Sequence, residues 1–275
     1  MHRTGAPLLL PNAWDHASAA ALASHGFPAI GTTSLGVAAA AGLPDGCGAT
    51  RDETLRLAAR LGAGGFLLSV DVEGGFGDDP AGVAELAREL AVAGAVGINI
   101  EDGRADGGLA PAELHAAKIS AVKEAVPSLF VNARTDTHWL PGSGRGAETL
   151  RRLTAYQQAG CDGVFVPGLT DPARIAELVG MLEVPLNILY SPGGPTVPEL
   201  AALGVRRVSL GSLLHRRALA AAVAAAVDVR SGRPVSGEAF TYAQVQALAG
   251  TGIERDMRMA GSSGMWHSSQ RKHSC

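Results

Sequence analysis

The chain is poor in the features that would announce several common functions. Aromatic residues make up 4% of its 275 positions, and the three cysteines, Cys47, Cys161 and Cys275, are odd in number and lack metal-ligand spacing. Neither a disulfide framework nor a zinc site is indicated, and a reducing, cytoplasmic setting is expected. The formal net charge of −3 offers no electrostatic footprint for nucleic acid or for an anionic membrane. Long apolar runs are also missing. The longest helical one, Ala218 to Val227, is mostly alanine and about half the length of a membrane span. The N-terminal segment reaches only a four-residue apolar run before Asn12, far short of a signal-peptide core, so a soluble protein is expected. No G-x-G-x-x-G follows the first apolar strand, which argues against a dinucleotide-binding open sheet.

What is present is apolar, small and periodic. Hydrophobic residues reach 47% and glycines number 36, which suits short helices packed closely on a sheet. Apolar strands are expected at 8–10, 29–32, 66–71, 96–100, 129–133, 163–166, 186–189 and 205–210. Helical stretches follow each of them, among them 15–23, one capped by Thr50 or Asp52 and running to about Leu61, 80–93, 110–125, 146–159 and 212–227. Residues 33–48 read as a small-residue loop, and Lys118 as a surface charge on its helix. Eight strand–helix units of about 25 residues predict an α/β fold, a (β/α)8 TIM barrel over 1–228. Residues 229–275 form an extra C-terminal extension, with short helices at 237–249 and near Ile253 and a polar tail over 261–275.

Polar side chains gather at the C-terminal ends of these strands, the face on which such barrels carry their sites. Strand alternation puts Ser69, Asp71 and Glu73 on one face, followed by a glycine-rich turn. Asn99 and Glu101 end the fourth strand, Asn132 and Arg134 the fifth, and Ser34 and Asp45 stand in the loop after the second. Taken alone, the Asp-x-Glu pair reads as an acidic surface turn, and an inert ion pair is the competing reading of Glu101–Arg134. One arginine cannot neutralise Asp45, Asp71, Glu73 and Glu101 together, so a hard cation such as Mg2+ with an anionic ligand on Arg134 balances the charge better. Cys47 lies near Asp45 but has no identifiable base to activate it. The 191–195 turn reads as a tight turn rather than a phosphate cradle.

Five ordered motifs resemble the isocitrate lyase/phosphoenolpyruvate mutase superfamily. They are Pro11-Asn-Ala-Trp-Asp, Thr32-Thr-Ser-Leu-Gly with Gly42-Leu-Pro-Asp-Gly, Ser69-Val-Asp-Val-Glu-Gly-Gly-Phe-Gly, Asn99-Ile-Glu-Asp and Asn132-Ala-Arg-Thr-Asp. The resemblance implies a Mg2+-dependent lyase in which Asp71 ligates the metal directly and Asp45, Glu73 and Glu101 hold its waters. It implies further that Thr33, Ser34 and Leu35 receive a substrate carboxylate and oxo oxygen and that Arg134 binds substrate. The superfamily usually has aspartate where Glu73 stands. The lyase loop with its cysteine is replaced here by Gly103-Arg-Ala-Asp-Gly-Gly-Leu-Ala, and the asparagine and lysines of the mutase lid are absent. Cleavage of a small 2-oxo acid, such as decarboxylation of an oxaloacetate-like diacid, is therefore the expected reaction. P–C bond chemistry on phosphonopyruvate and a non-catalytic 2-oxo acid binder are the alternatives. Water, Asp106 or His138 would then supply the proton. The resemblance also implies a homo-dimer or homo-tetramer with a swapped eighth helix, for which the alanine-rich segment from Ser212 to Val227 is suited.

Overall fold

A computed structural model describes residues 6–141 and 146–250. The helix expected near Ile253, the 261–275 tail and Cys275 lie outside the described residues. The sheet contains β1 (Leu8–Leu10), β2 (Asn12–Ala13), β3 (Ala29–Thr32), β4 (Leu67–Asp71), β5 (Ala95–Glu101), β6 (Phe130–Arg134), β7 (Gly163–Phe165), β8 (Leu186–Leu189) and β9 (Arg207–Ser209). All pairings are parallel, in the order β1-β9-β8-β7-β6-β5-β4-β3-β2. The two outermost members are one strand interrupted at Pro11, so the sheet curls into the expected eight-unit barrel.

Proline explains the interruption, because it has no N–H to give to a ladder. Its carbonyl still accepts the amide of Gly31 at 2.8 Å. Asn12 then stitches the seam with its side chain. Nδ2 donates to the Thr32 carbonyl at 2.7 Å, and Oδ1 accepts the Leu210 amide at 3.1 Å.

The helices are α1 (His16–Ser24), α2 (Ser34–Ala41), α3 (Arg51–Leu61), α4 (Pro80–Val92), α5 (Ala112–Ala125), α6 (Ala147–Gln158), α7 (Pro172–Met181), α8 (Val197–Ala202), α9 (Leu213–Arg230) and α10 (Tyr242–Ala247). Asp15, Asp79, Asp171 and Thr196 cap helix starts with their side chains, the last three before a proline in the first turn. Ile98, Ile100, Val131, Ala133, Val164 and Val208 belong to the apolar layer between strands and helices. The strands are thus covered on both faces, as their unbroken apolar runs suggest.

The structure corrects three expectations. Residues 34–41 are helical, not a loop. Small side chains let this helix lie close to the barrel, where a Cβ on Gly36 would stand 2.7 Å from Trp14 Cβ, and Gly42 ends it with φ 68°. The C-terminal helix is shorter than 237–249; Thr241 caps a helix only over Tyr242–Ala247, followed by a 3-10 turn at Leu248–Gly250. The strand β4 stops at Asp71, with Glu73 in a turn at φ 49° rather than on the shared strand face.

The helix α9 stands apart from the rest. Only His215 is buried, edge-on to Trp14 at 5.0 Å between ring centroids, while Leu219, Val223 and Val229 are 54%, 63% and 67% exposed. Among the described residues no helix is long and apolar enough to cross a membrane.

Candidate active site

The mouth of the barrel opens into a cavity of about 430 Å³ whose wall includes Thr33, Ser34, Leu35, Asp45, Asp71, Glu101, Arg134 and Asp136. Seven of the eight expected site residues therefore share one cavity; Glu73 is the exception. Asp71 is centred by three strands. Its amide donates to the Thr32 hydroxyl oxygen at 2.8 Å, its Oδ1 accepts from Asn99 Nδ2 at 3.2 Å, and Asn99 Oδ1 in turn accepts from Asn132 Nδ2 at 2.9 Å. Because α2 begins directly after β3, the Ser34 amide points at Asp71 Oδ2, 3.3 Å away. This amide-rich helix start suits an anionic ligand group.

Arg134 is gripped from two sides. Nη1 stands 2.6 Å from Glu101 Oε2, while Nε and Nη2 donate to Asp136 Oδ1 and Oδ2 at 2.6 and 3.1 Å. Its guanidinium carbon lies 5.7 Å from the centre of the Phe165 ring. Burial disfavours its charge, yet Glu101 and Asp136 outweigh that and hold it above the ordinary arginine range. Two acids competing for one arginine cannot both be comfortable. Burial pushes Glu101 up to about 8, helped by the charges of Asp136, Asp71 and Asp45 and opposed by Arg134. Burial also raises Asp136, again opposed by Arg134.

Asp45 reaches the mouth from the solvent-exposed loop after α2. Partial loss of solvent raises its carboxyl, a Ser34 hydrogen bond opposes, and Asp71 pushes the same way as desolvation. Glu73 turns instead toward the base of that loop. Oε2 accepts the Gly48 amide at 2.8 Å and Oε1 the Thr50 hydroxyl at 2.5 Å. Desolvation raises its pKa against those two bonds, and Asp45 and Asp71 add to the rise. It lines an adjoining cavity together with Cys47, Asp106 and Lys118. Among the described residues, no three His, Cys, Asp or Glu side chains are gathered closely enough to hold one metal ion directly.

The 103–110 loop folds as a small flap. Gly103 bridges Leu109 in antiparallel fashion, and Arg104 Nη2 donates to Asp78 Oδ2 at 2.8 Å. Lys118, expected at the surface, is 3% exposed. Its Nζ donates to the Gly74 carbonyl at 3.0 Å and to Asp78 Oδ1 at 3.2 Å, so it fastens the glycine turn after β4. Neither Asp106 nor His138, the candidate proton donors, lines the mouth cavity.

One supporting group closes the Asn99-Ile-Glu-Asp motif, although the sequence alone gives it no role. Asp102, fully buried, accepts Tyr156 OH at 2.6 Å and Arg152 Nη1 at 2.9 Å through Oδ2. Its Oδ1 accepts the Asp136 amide at 2.9 Å. Arg152 also donates to the Ala110 carbonyl at 2.8 Å, tying down the far end of the flap. Asp136, by contrast, sits two residues after Arg134 in the quoted motif, and on extended backbone that spacing puts both side chains on one side.

Fold and mouth together define a (β/α)8 barrel enzyme with an acidic, arginine-bearing site. The phosphoenolpyruvate phosphomutase family model matches residues 1–230, and the chain belongs to that family. It is 45% identical over 247 residues to an uncharacterized protein of Mycobacterium tuberculosis, covering 90% of this chain and 93% of the other. It is 32% identical over 206 residues to the oxaloacetate decarboxylase of Ectopseudomonas mendocina, covering 70% and 69% of the two chains. Among solved structures, a protein of Burkholderia cenocepacia described as a lyase/mutase superposes with a TM-score of 0.82 at 36% identity, over 90% of this chain and 92% of the other. The relatives with a named activity include lyases of the isocitrate lyase/phosphoenolpyruvate mutase superfamily, and this chain is an enzyme of that kind.

Proposed function

We propose that the protein is a Mg2+-dependent lyase that cleaves a C–C bond in a small 2-oxo acid, such as the decarboxylation of an oxaloacetate-like diacid. The observation that carries this reading is the placement of Arg134, held by Glu101 and Asp136, in the same cavity as Asp71 and the amide end of α2. The donor set suits a hard divalent cation, because burial raises the pKa of Asp45, Glu73 and Glu101 and the nearby charge of Asp71 adds to each rise. Among the described residues no three acids gather on one point, so in this reading Asp71 is the one direct ligand and Asp45 and Glu101 act through its waters, while Glu73, turned to Gly48 and Thr50, would have to swing back to join them. Bound there, Mg2+ would supply Lewis-acid stabilisation of enolate-like charge.

The chain's own residues do the rest. The Arg134 fork takes a substrate carboxylate, and Thr33, Ser34 and Leu35 receive a carboxylate and the oxo oxygen with hydroxyl and amide groups. Loss of CO2 leaves its bonding electrons on the 2-oxo fragment as an enolate, and a proton from water then completes the product. Water is the donor this cavity favours, because Asp106 and His138 stand outside it.

The test is a panel of 2-oxo diacids and phosphonopyruvate with Mg2+, followed by pyruvate release. Turnover of a diacid supports this reading. Turnover of phosphonopyruvate alone would replace it with P–C chemistry, and tight binding with no turnover would make the protein a 2-oxo acid binder. We also infer a dimer or tetramer in which α9 packs on a partner's barrel, supported by the apolar side chains that α9 leaves exposed.

A further inference from the structure

Two arginines project into the barrel, and they are treated differently. Arg134 has two carboxylates on it. Arg207, on β9, is 4% exposed and has no carboxylate within ion-pair distance among the described residues. Its contacts are neutral ones. Nη2 donates to Ser69 Oγ at 3.1 Å, and the guanidinium lies 5.8 Å from the centre of the Phe130 ring. Nε is buried without a protein acceptor.

The glycines at this level leave room for the barrel's own side chains, Asn12 and Leu10 over Gly31 and Phe130 over Gly97. Ser69 is in register with Gly31 on one side and Gly97 on the other, so the inner wall at this level carries hydrogen atoms where side chains would stand. A Cβ on Gly31 would come within 2.7 Å of Asn12 Nδ2. Arg207, Ser69 and Gly31 all line the same cavity as Asp71 and Arg134, so this level is its floor. A buried guanidinium with no counter-charge is costly, and burial alone drags Arg207 down to about 10. Barrel filling would be achieved more cheaply by an apolar side chain.

We propose that the floor of the cavity, at Arg207 and Ser69, is a binding site for a compact monoanion of carboxylate or halide size. A free ion and the far carboxylate of a diacid ligand are the two sources of that chemistry. The anion would be received by the Arg207 N–H groups that Ser69 leaves free. The site is separate from Arg134, so it stands whether or not the protein proves to be a lyase.

Thermal unfolding of the metal-free full-length protein in sodium bromide and in sodium formate, each against sodium sulfate at matched ionic strength, reads the site directly. Saturable stabilisation by bromide or formate is expected, and its loss in Arg207→Met. That variant removes an uncompensated charge and is expected to fold; should it not, bromide-soaked crystals of the unsubstituted protein must show an anomalous peak beside the Arg207 guanidinium. Competition of a dicarboxylate with bromide would identify the ligand's own carboxylate as the occupant, and bromide binding without competition a free ion; both support the site. A shift that is linear in salt, or equal in Arg207→Met, or crystals with no peak at Arg207, would overturn it.

Discussion

Asp102 and Asp136 are joined by a backbone hydrogen bond, the Asp136 amide donating to Asp102 Oδ1 at 2.9 Å. Asp136 in turn grips Arg134, so a carboxylate that never reaches the mouth sets the direction of the arginine that does. Asp102→Asn leaves Arg152 with Glu148, 2.6 Å from its Nε, as its one carboxylate partner among the described residues and is expected to cost roughly 2 kcal/mol of stability. Tyr156→Phe, which removes one hydrogen bond to the same oxygen, should cost about 1 kcal/mol. Urea denaturation of both variants measures the difference; equal small losses would mean that the network is not strained by a missing charge.

Glu101 predicts a pH dependence of known sign. Its folded pKa, raised to about 8, lies above its unfolded value of 4.5, so between those values the folded metal-free protein holds a proton that the unfolded chain has lost. Stability from this group is therefore complete below about pH 4.5 and falls as pH rises toward 8. Glu101→Gln keeps the neutral form at every pH. In the presence of a chelator it should gain on the unsubstituted protein by about 1 kcal/mol or more at pH 8 and show no gain at pH 4.5. Denaturant melts at the two pH values decide the matter, and a gain that does not grow with pH would refute the assignment.

The mouth itself makes two expectations. Asp71→Ala should abolish Mg2+-dependent ligand binding while leaving the circular dichroism spectrum unchanged; calorimetry showing intact binding would remove Asp71 from the metal site. Arg134→Lys keeps the charge but loses the planar fork held between Glu101 and Asp136, and kcat/KM should fall on the order of 100-fold.

Substrate range follows from the flap. Residues 103–110 contain no cysteine, and the polar groups they do carry are engaged locally: Asp106 Oδ1 accepts the Gly108 amide at 2.9 Å and Arg104 is paired with Asp78. Neither isocitrate nor 2-methylisocitrate should be cleaved efficiently. Glyoxylate release at an ordinary rate from either acid, followed by hydrazone formation, would contradict this.

The barrel was legible because every strand is an apolar run and most helices announce their start, as Asp79-Pro80 and Asp171-Pro172 do. The site was legible because strand ends place Asp71, Glu101 and Arg134 at one mouth. Three things were hidden for physical reasons. The start of α2 was hidden because its small residues and glycine read as loop, and Thr33, although a favoured cap type, makes no side-chain cap bond there. Glu73 turns away because a positive φ breaks the alternation, an event that alternation cannot foresee. Arg207 and Lys118 were invisible because their burial depends on what faces them across the barrel or from a neighbouring loop, at sequence separations of 138 for Ser69 and 44 for Gly74.

Assembly can be tested by light scattering, where a mass of two or four chains is expected. Val223→Glu should lower that mass, since Val223 is 63% exposed on α9 and touches solvent in the single chain. A monomer before substitution would remove the swapped-helix reading.

The helix α9 also divides the protein's tolerance to change along its own length. Its first turn is fixed, with His215 buried against Trp14 and the preceding Gly211 and Ser212 forming part of the cavity wall. Its later turns meet little of their own barrel. Substitutions near 215 should therefore be felt as altered turnover in every copy, while those beyond 219 should be felt as altered dissociation on dilution. Two copies damaged at opposite ends of this helix would fail differently, and mixing them would reveal which defect a healthy partner can mend.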